Sequence, residues 1–250
     1  MYLERMTITP RDRETFVIVG LRDFGALHVQ LLRKGMTRGL VAPADILVIE
    51  PDTSRSFPRG ELPPDTRIVH RDVLEVLVDR WLPFLESGAP RDLFVPDPLA
   101  PHLLFEVFRR SLVHAFTGRP VRCVQRQLDE PPDTPYSTRL PSDMQAVSFA
   151  TWTCPRTCIE PRICPATRST KTWDMSETLR NFAEEHNLFP VLFYPKELYY
   201  GVFALPAVEL LRTIREGINH LEEHGSAEFL VATVSACHGL AGKIAALLET

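Results

Sequence analysis

The chain has 250 residues, of which 44% are hydrophobic and 24% charged, and its formal net charge is −4. Such a composition is that of a soluble globular protein with length for one large core or two small ones. The mild acidity excludes a general pull towards nucleic acid or anionic membrane, and no apolar run approaches the roughly 18 residues of a membrane span. The opening stretch MYLERMTITPRDRE carries no apolar secretory segment, so a cytoplasmic location is expected.

Short apolar runs alternate with helical patterns along the chain. TFVIV (Thr15 to Val19) ends at Gly20 and reads as a buried parallel strand. FGALHVQLLRKG has apolar positions at helical spacing and stops at Gly35. ILVIE (Ile46 to Glu50) and RIVH (Arg67 to His70) predict further strands, and DVLEVLVDRWLPFL a helix interrupted at Pro83. DLFVP predicts a strand, PHLLFEVFRRSLVHAF a helix with Pro101 in its first turn, and PVRCV (Pro120 to Val124) another strand. This alternation predicts an α/β fold, a Rossmann-like parallel sheet with helices on both faces, over residues 1–126.

Residues 127–144 are rich in Pro, Asp and Ser and read as a linker or exposed loop. A second α/β half is expected over 145–250, carrying a Cys-rich loop. In it QAVSFATW and PVLFY predict strands, Met175 to His186 and Leu205 to Glu223 helices, EFLVATV a strand and LAGKIAALLE a closing helix.

The turn after the first strand reads VGLRDFG, with Gly20 and Gly25 in the first and third positions of a dinucleotide-binding G-x-G-x-x-G and Arg22 in the middle. Over residues 15–52 it resembles the nucleotide-binding regulatory domains of potassium transporters and channels. The resemblance implies NAD(P) or another nucleotide at Gly20, Arg22 and Gly25, with Glu50 holding the ribose. Arg22 replaces the glycine that lets backbone approach a pyrophosphate; it supplies a cation instead, beside a helix N-terminus that favours anions. The alternative is a Rossmann-like fold whose glycines serve only the tight turn.

The chain's most distinctive stretch is TCPRTCIEPRICP, in which Cys154, Cys158 and Cys164 lie within eleven residues among four prolines. Five cysteines in a cytosolic protein of this length argue against disulfides. Thiolates are soft charged donors, and a short stiff loop can converge several on one zinc ion or iron–sulfur cluster. The spacing is neither the C-x2-C pair of zinc ribbons nor the run of bacterial ferredoxins, so both metals stay open, as does a loop of small unliganded thiols. Cys237 and His238, in SACHG at a strand-end turn, are the leading further ligands; His102 and Cys123 are weaker ones. The loop and the terminal CHG together resemble uncharacterised prokaryotic Rossmann-type proteins with a CPxxCxEPxxC-like loop, a likeness that names no activity.

VATVSACHGLAG is also similar to the nucleophile elbow of the DJ-1/PfpI proteins, which implies Cys237 as a catalytic thiol with His238 as its base. Arg168 and Lys171 beside the cysteines, and Lys196, Tyr199 and Tyr200 after a predicted strand, offer an anion site or stacking surface; a solvated loop and core packing explain them as well. His220 and His224 are an i, i+4 pair without the glutamate of H-E-x-x-H. The expectation is a metal-binding Rossmann-like protein taking a nucleotide or small anionic ligand, in oxidoreductase chemistry or sensing. Its rival is a regulatory module with structural zinc, whose partner is another protein or a second copy of the chain.

Overall fold

The computed structural model describes residues 14–57, 65–88, 90–98, 100–155 and 157–249; the opening stretch 1–13 lies outside them. In chain order the elements are β1 (Thr15–Val19), α1 (Asp23–Thr37), β2 (Asp45–Ile49), β3 (Thr66–Val69), α2 (Val73–Trp81), β4 (Asp92–Val95), α3 (Leu103–Ala115) and β5 (Val121–Arg126). They continue with β6 (Tyr136–Arg139), β7 (Gln145–Ser148), α4 (Met175–Glu185), β8 (Phe189–Phe193), β9 (Lys196–Tyr199), β10 (Val202–Pro206), α5 (Ala207–His224), β11 (Ser226–Val234) and β12 (His238–Leu248).

These form an α/β protein with two sheets. The first has the order β3-β2-β1-β4-β10-β9, and its first four strands are parallel, as a Rossmann-like half requires. The second has the order β6-β7-β12-β11-β8. Its spine is β12, which pairs β11 along one edge. On its other edge it pairs β7 through residues 238–241 and β5 through residues 243–248.

Side-chain alternation along the strands explains the layering. On β1, Phe16 and Ile18 pack towards α1 residues Val29 and Leu32. Val17 and Val19 face the opposite way, into a core shared with α2, α3 and α5. On β11, Phe229 and Val231 enter that same central core, while Leu230, Ala232 and Val234 pack on α4 residues Leu179 and Phe182. The sheets therefore sandwich one helical layer, with α1 and α4 outside them. Local signals set the helix starts: the Asp72 carboxylate accepts Glu75 N–H before α2, and Asp174 accepts Ser176 and Glu177 N–H before α4.

Four sequence expectations change. The sheets are mixed, because β10 runs antiparallel to β4 and β9 antiparallel to β10. The division into residues 1–126 and 145–250 is crossed twice: β5 belongs to the second sheet, and the β9–β10 hairpin extends the first. The proline-rich stretch contains the edge strand β6. The expected closing helix LAGKIAALLE is strand, because residues 238–248 are claimed by hydrogen-bonding partners on both sides.

Candidate functional site

Residues 149–171 leave β7, cross the end of the β11–β12 hairpin and return towards α4. The loop is fastened to that hairpin at three points. Phe149 N–H donates to the Cys237 carbonyl at 2.9 Å. The Glu160 carboxylate accepts Ala236 N–H at 2.9 Å. Met175 N–H, at the far end of the segment, donates to the Ala236 carbonyl at 3.2 Å. Within the loop, Cys158 N–H donates to the Pro155 carbonyl at 3.0 Å. A miniature ladder pairs Ile163 with Thr170, and its neighbouring bonds join Cys164 to Ser169 and Arg162 to Lys171.

Glu160 and Arg168 hold left-handed backbone, at φ 50° and 55°, a conformation that costs non-glycine residues energy. Glu160 uses both ends of its residue as fasteners: the carboxylate grips the hairpin, and its carbonyl accepts Lys171 Nζ at 2.7 Å. The loop also abuts the first sheet, in the Tyr200–Gly201 turn between β9 and β10. A Cβ added at Gly201 would stand 2.7 Å from the Thr157 Cα, so only glycine admits this approach.

This fastening gathers four thiols. Cys154, Cys158 and Cys164 from the loop and Cys237 from the hairpin line one cavity of about 10 Å³, with Trp152, Glu160, Lys171 and the loop prolines in its wall. All five cysteines are free. Among the described residues, no group of three or more His, Cys, Asp and Glu side chains already stands at ion-holding geometry.

The surroundings treat the sulfurs unequally. Burial pushes the Cys154 thiol up, and the neighbouring Cys158 and Cys164 add to the effect. Burial likewise raises Cys237, against the Trp173 indole N–H, which donates to its sulfur at 3.4 Å. Cys164 is drawn down, first by the Thr167 backbone N–H and then, against burial, by that of Ala166. Tyr194 is pushed up to about 12 by burial and then by Asp174, Glu160 and Cys237, so it stays protonated at neutral pH.

His238 does not join the thiols. Cys237 lies in the turn between β11 and β12, and His238 is the first residue of β12. The imidazole Nδ1 lies 2.9 Å from Ser148 Oγ, and the ring does not line the cavity. Cys123 sits in β5 opposite Ala246, and His102 precedes α3; neither lines the cavity. The elbow expected at Cys237 is a strand-to-strand turn, closed by Ser235 N–H on the His238 carbonyl at 2.8 Å. It therefore lacks the helix N-terminus that would give the thiol nucleophilic character.

At the glycine turn, Glu50 is buried, and its two oxygens accept Leu21 N–H at 2.7 Å and Asp52 N–H at 2.9 Å. The carboxylate thus ties the β1 and β2 turns together. A Cβ on Gly25 would fall 1.9 Å from the Gly20 carbonyl oxygen, so glycine is required there by packing alone. Arg22 is exposed at the start of α1. What sequence reading overlooked is Trp152 and Trp173; a tryptophan beside each end of a cysteine-rich loop was the available signal.

No helix among the described residues is long and apolar enough to cross a membrane. No curated protein and no solved structure matches the chain. A family model does match, over residues 104–246, from the start of α3 almost to the end of β12. That span contains all four cavity cysteines and covers more than half of the sequence, so the chain belongs to the family described as "Uncharacterized protein, C-terminal domain" (AF_1314_C).

Proposed function

We propose that the protein is a metal-binding protein whose ligands are the thiolates of Cys154, Cys158, Cys164 and Cys237. One observation carries this reading: side chains separated by up to 83 positions of sequence (237 less 154) line a single small cavity. Four soft, chargeable donors, with no imidazole and with the carboxylate of Glu160 engaged by Ala236 N–H, suit a thiolate-preferring ion. A tetrahedral zinc site holds its sulfurs roughly 3.8 Å apart, given Zn–S bonds of about 2.3 Å. The cavity of about 10 Å³ holds roughly one water-sized sphere, which favours a single ion over a cubane cluster. The metal's role is to lock the loop to the β11–β12 hairpin, a structural or regulatory function rather than catalysis by Cys237. An iron–sulfur cluster in redox chemistry is the second reading, supported by the N–H donors turned towards sulfur, which such centres use to set potential.

Elemental analysis of anaerobically purified protein tests both. The zinc reading expects about one equivalent of zinc in colourless protein, loss of that zinc in Cys158→Ser, and an intense thiolate-to-metal charge-transfer band on cobalt exchange. Visible absorbance that bleaches on reduction would transfer support to the cluster. Protein without zinc or iron, with all five thiols titrating freely, ends the proposal.

A further inference from the structure

Buried donors without acceptors are rare in folded proteins, and among the described residues only two side-chain atoms qualify, Thr66 Oγ1 and Trp152 Nε1. The second lies in the wall of the thiol cavity. An indole N–H can donate and nothing else, so Trp152 cannot satisfy itself by switching role. Leaving it unpaired costs on the order of 1–3 kcal/mol. It lies close enough to the Cys154 sulfur to draw that thiol down as a hydrogen-bond donor does, yet it closes no full hydrogen bond to it. A neutral thiol is a weak acceptor; a thiolate is a charged one, and hydrogen bonds to charge are about twice as strong.

Trp173 shows the completed form of the same contact. Its indole N–H reaches Cys237 Sγ at 3.4 Å, and its ring stacks on Phe149 at a centroid distance of 5.8 Å. Phe149 is itself bonded to the Cys237 carbonyl, so ring and sulfur are positioned by one piece of backbone. Trp152 stands two residues before Cys154, and Trp173 two residues after Lys171, so the indoles bracket the loop at entry and exit.

We infer that Trp152 and Trp173 are positioning residues of the metal centre, an indole N–H···S pair in which the Trp152 donor is reserved for the metal-bound sulfur of Cys154. The inference rests on the thiolate reading above. Donors of this kind fix ligand orientation and spread the charge that several thiolates bring to one ion, and such outer partners change metal affinity by about 10- to 100-fold.

The test is a heteronuclear magnetic-resonance titration of isotopically labelled protein with a spin-half cadmium isotope. On loading, the Trp152 indole proton should move downfield, exchange with solvent about tenfold more slowly or slower still, and show scalar coupling to cadmium through the hydrogen bond. Trp152→Phe should bind cadmium about tenfold more weakly in competition with a chelator while keeping the parent melting temperature. If cadmium binds and the Trp152 indole signal neither shifts nor couples, the inference is overturned and the centre stands. If cadmium fails to bind the parent protein, the centre itself is overturned.

Discussion

Replacing Gly25 with alanine measures how the first sheet and α1 are joined. The added methyl would lie 1.9 Å from the Gly20 carbonyl oxygen, 2.8 Å from the Gly20 carbonyl carbon and 3.1 Å from the Val19 carbonyl oxygen. All three are backbone atoms, so no rotamer change gives relief. Ordinary contact needs roughly 3.5 Å, so the start of α1 must lift by on the order of 1.5 Å. Overpacking of this kind costs about 3 kcal/mol or somewhat more, and alanine returns about 1 kcal/mol of helix propensity. The net expectation is a loss of about 2–3 kcal/mol, read as a lower urea midpoint at unchanged slope. Gly39→Ala is the companion, since Gly39 has φ +66° and nothing within 4 Å of a built Cβ. It isolates conformational strain and should cost about 1 kcal/mol. A Gly25→Ala protein within about 0.5 kcal/mol of the parent, the usual range for a neutral surface change, would refute the packing argument.

Two further perturbations probe the interior. His28 is buried in α1, and burial lowers its pKa from 6.5 to about 4. Between those values the unfolded chain binds a proton that the folded protein refuses, so stability should fall as pH drops from 6.5 towards 4 by about 3 kcal/mol and stay level above. His28→Leu should flatten that stretch of a stability–pH profile, and an unchanged slope would contradict the assignment. Asp92 is buried and accepts Arg80 Nη2 at 2.7 Å and Trp81 Nε1 at 3.0 Å. Asp92→Ala strands a buried indole N–H and a partly buried guanidinium; calorimetry should show a loss of about 3 kcal/mol.

The parts of the fold legible in sequence were those with one dominant local signal. TFVIV and ILVIE are continuous apolar runs because β1 and β2 are covered on both faces, and they fall within a residue of β1 and β2. Strand direction carries no such signal, which is why PVRCV was assignable as a strand but not to the second sheet. LAGKIAALLE misleads because its alanines and leucines favour helix, while pairing to β11, β7 and β5 overrides that preference. The β9–β10 hairpin stayed hidden because its turn places Tyr200 at φ 46°, where Asn or Gly would announce it. At the site, the approach of Cys237 to the loop was inferable from its strand-end position, but the turn sends Cys237 alone to the cavity and leaves His238 on Ser148, a division that adjacency in sequence does not announce.

The place of β12 bears on how the protein is made. It is the last strand in chain order and the spine of the second sheet, so on the ribosome β5 and one edge of β7 wait for their hydrogen-bonding partner until residues 238–248 emerge. Unpaired edges of that kind invite association between nascent chains. Arg122 and Arg126 put charge on the waiting β5, as gatekeepers do, through the interval in which synthesis leaves it uncovered.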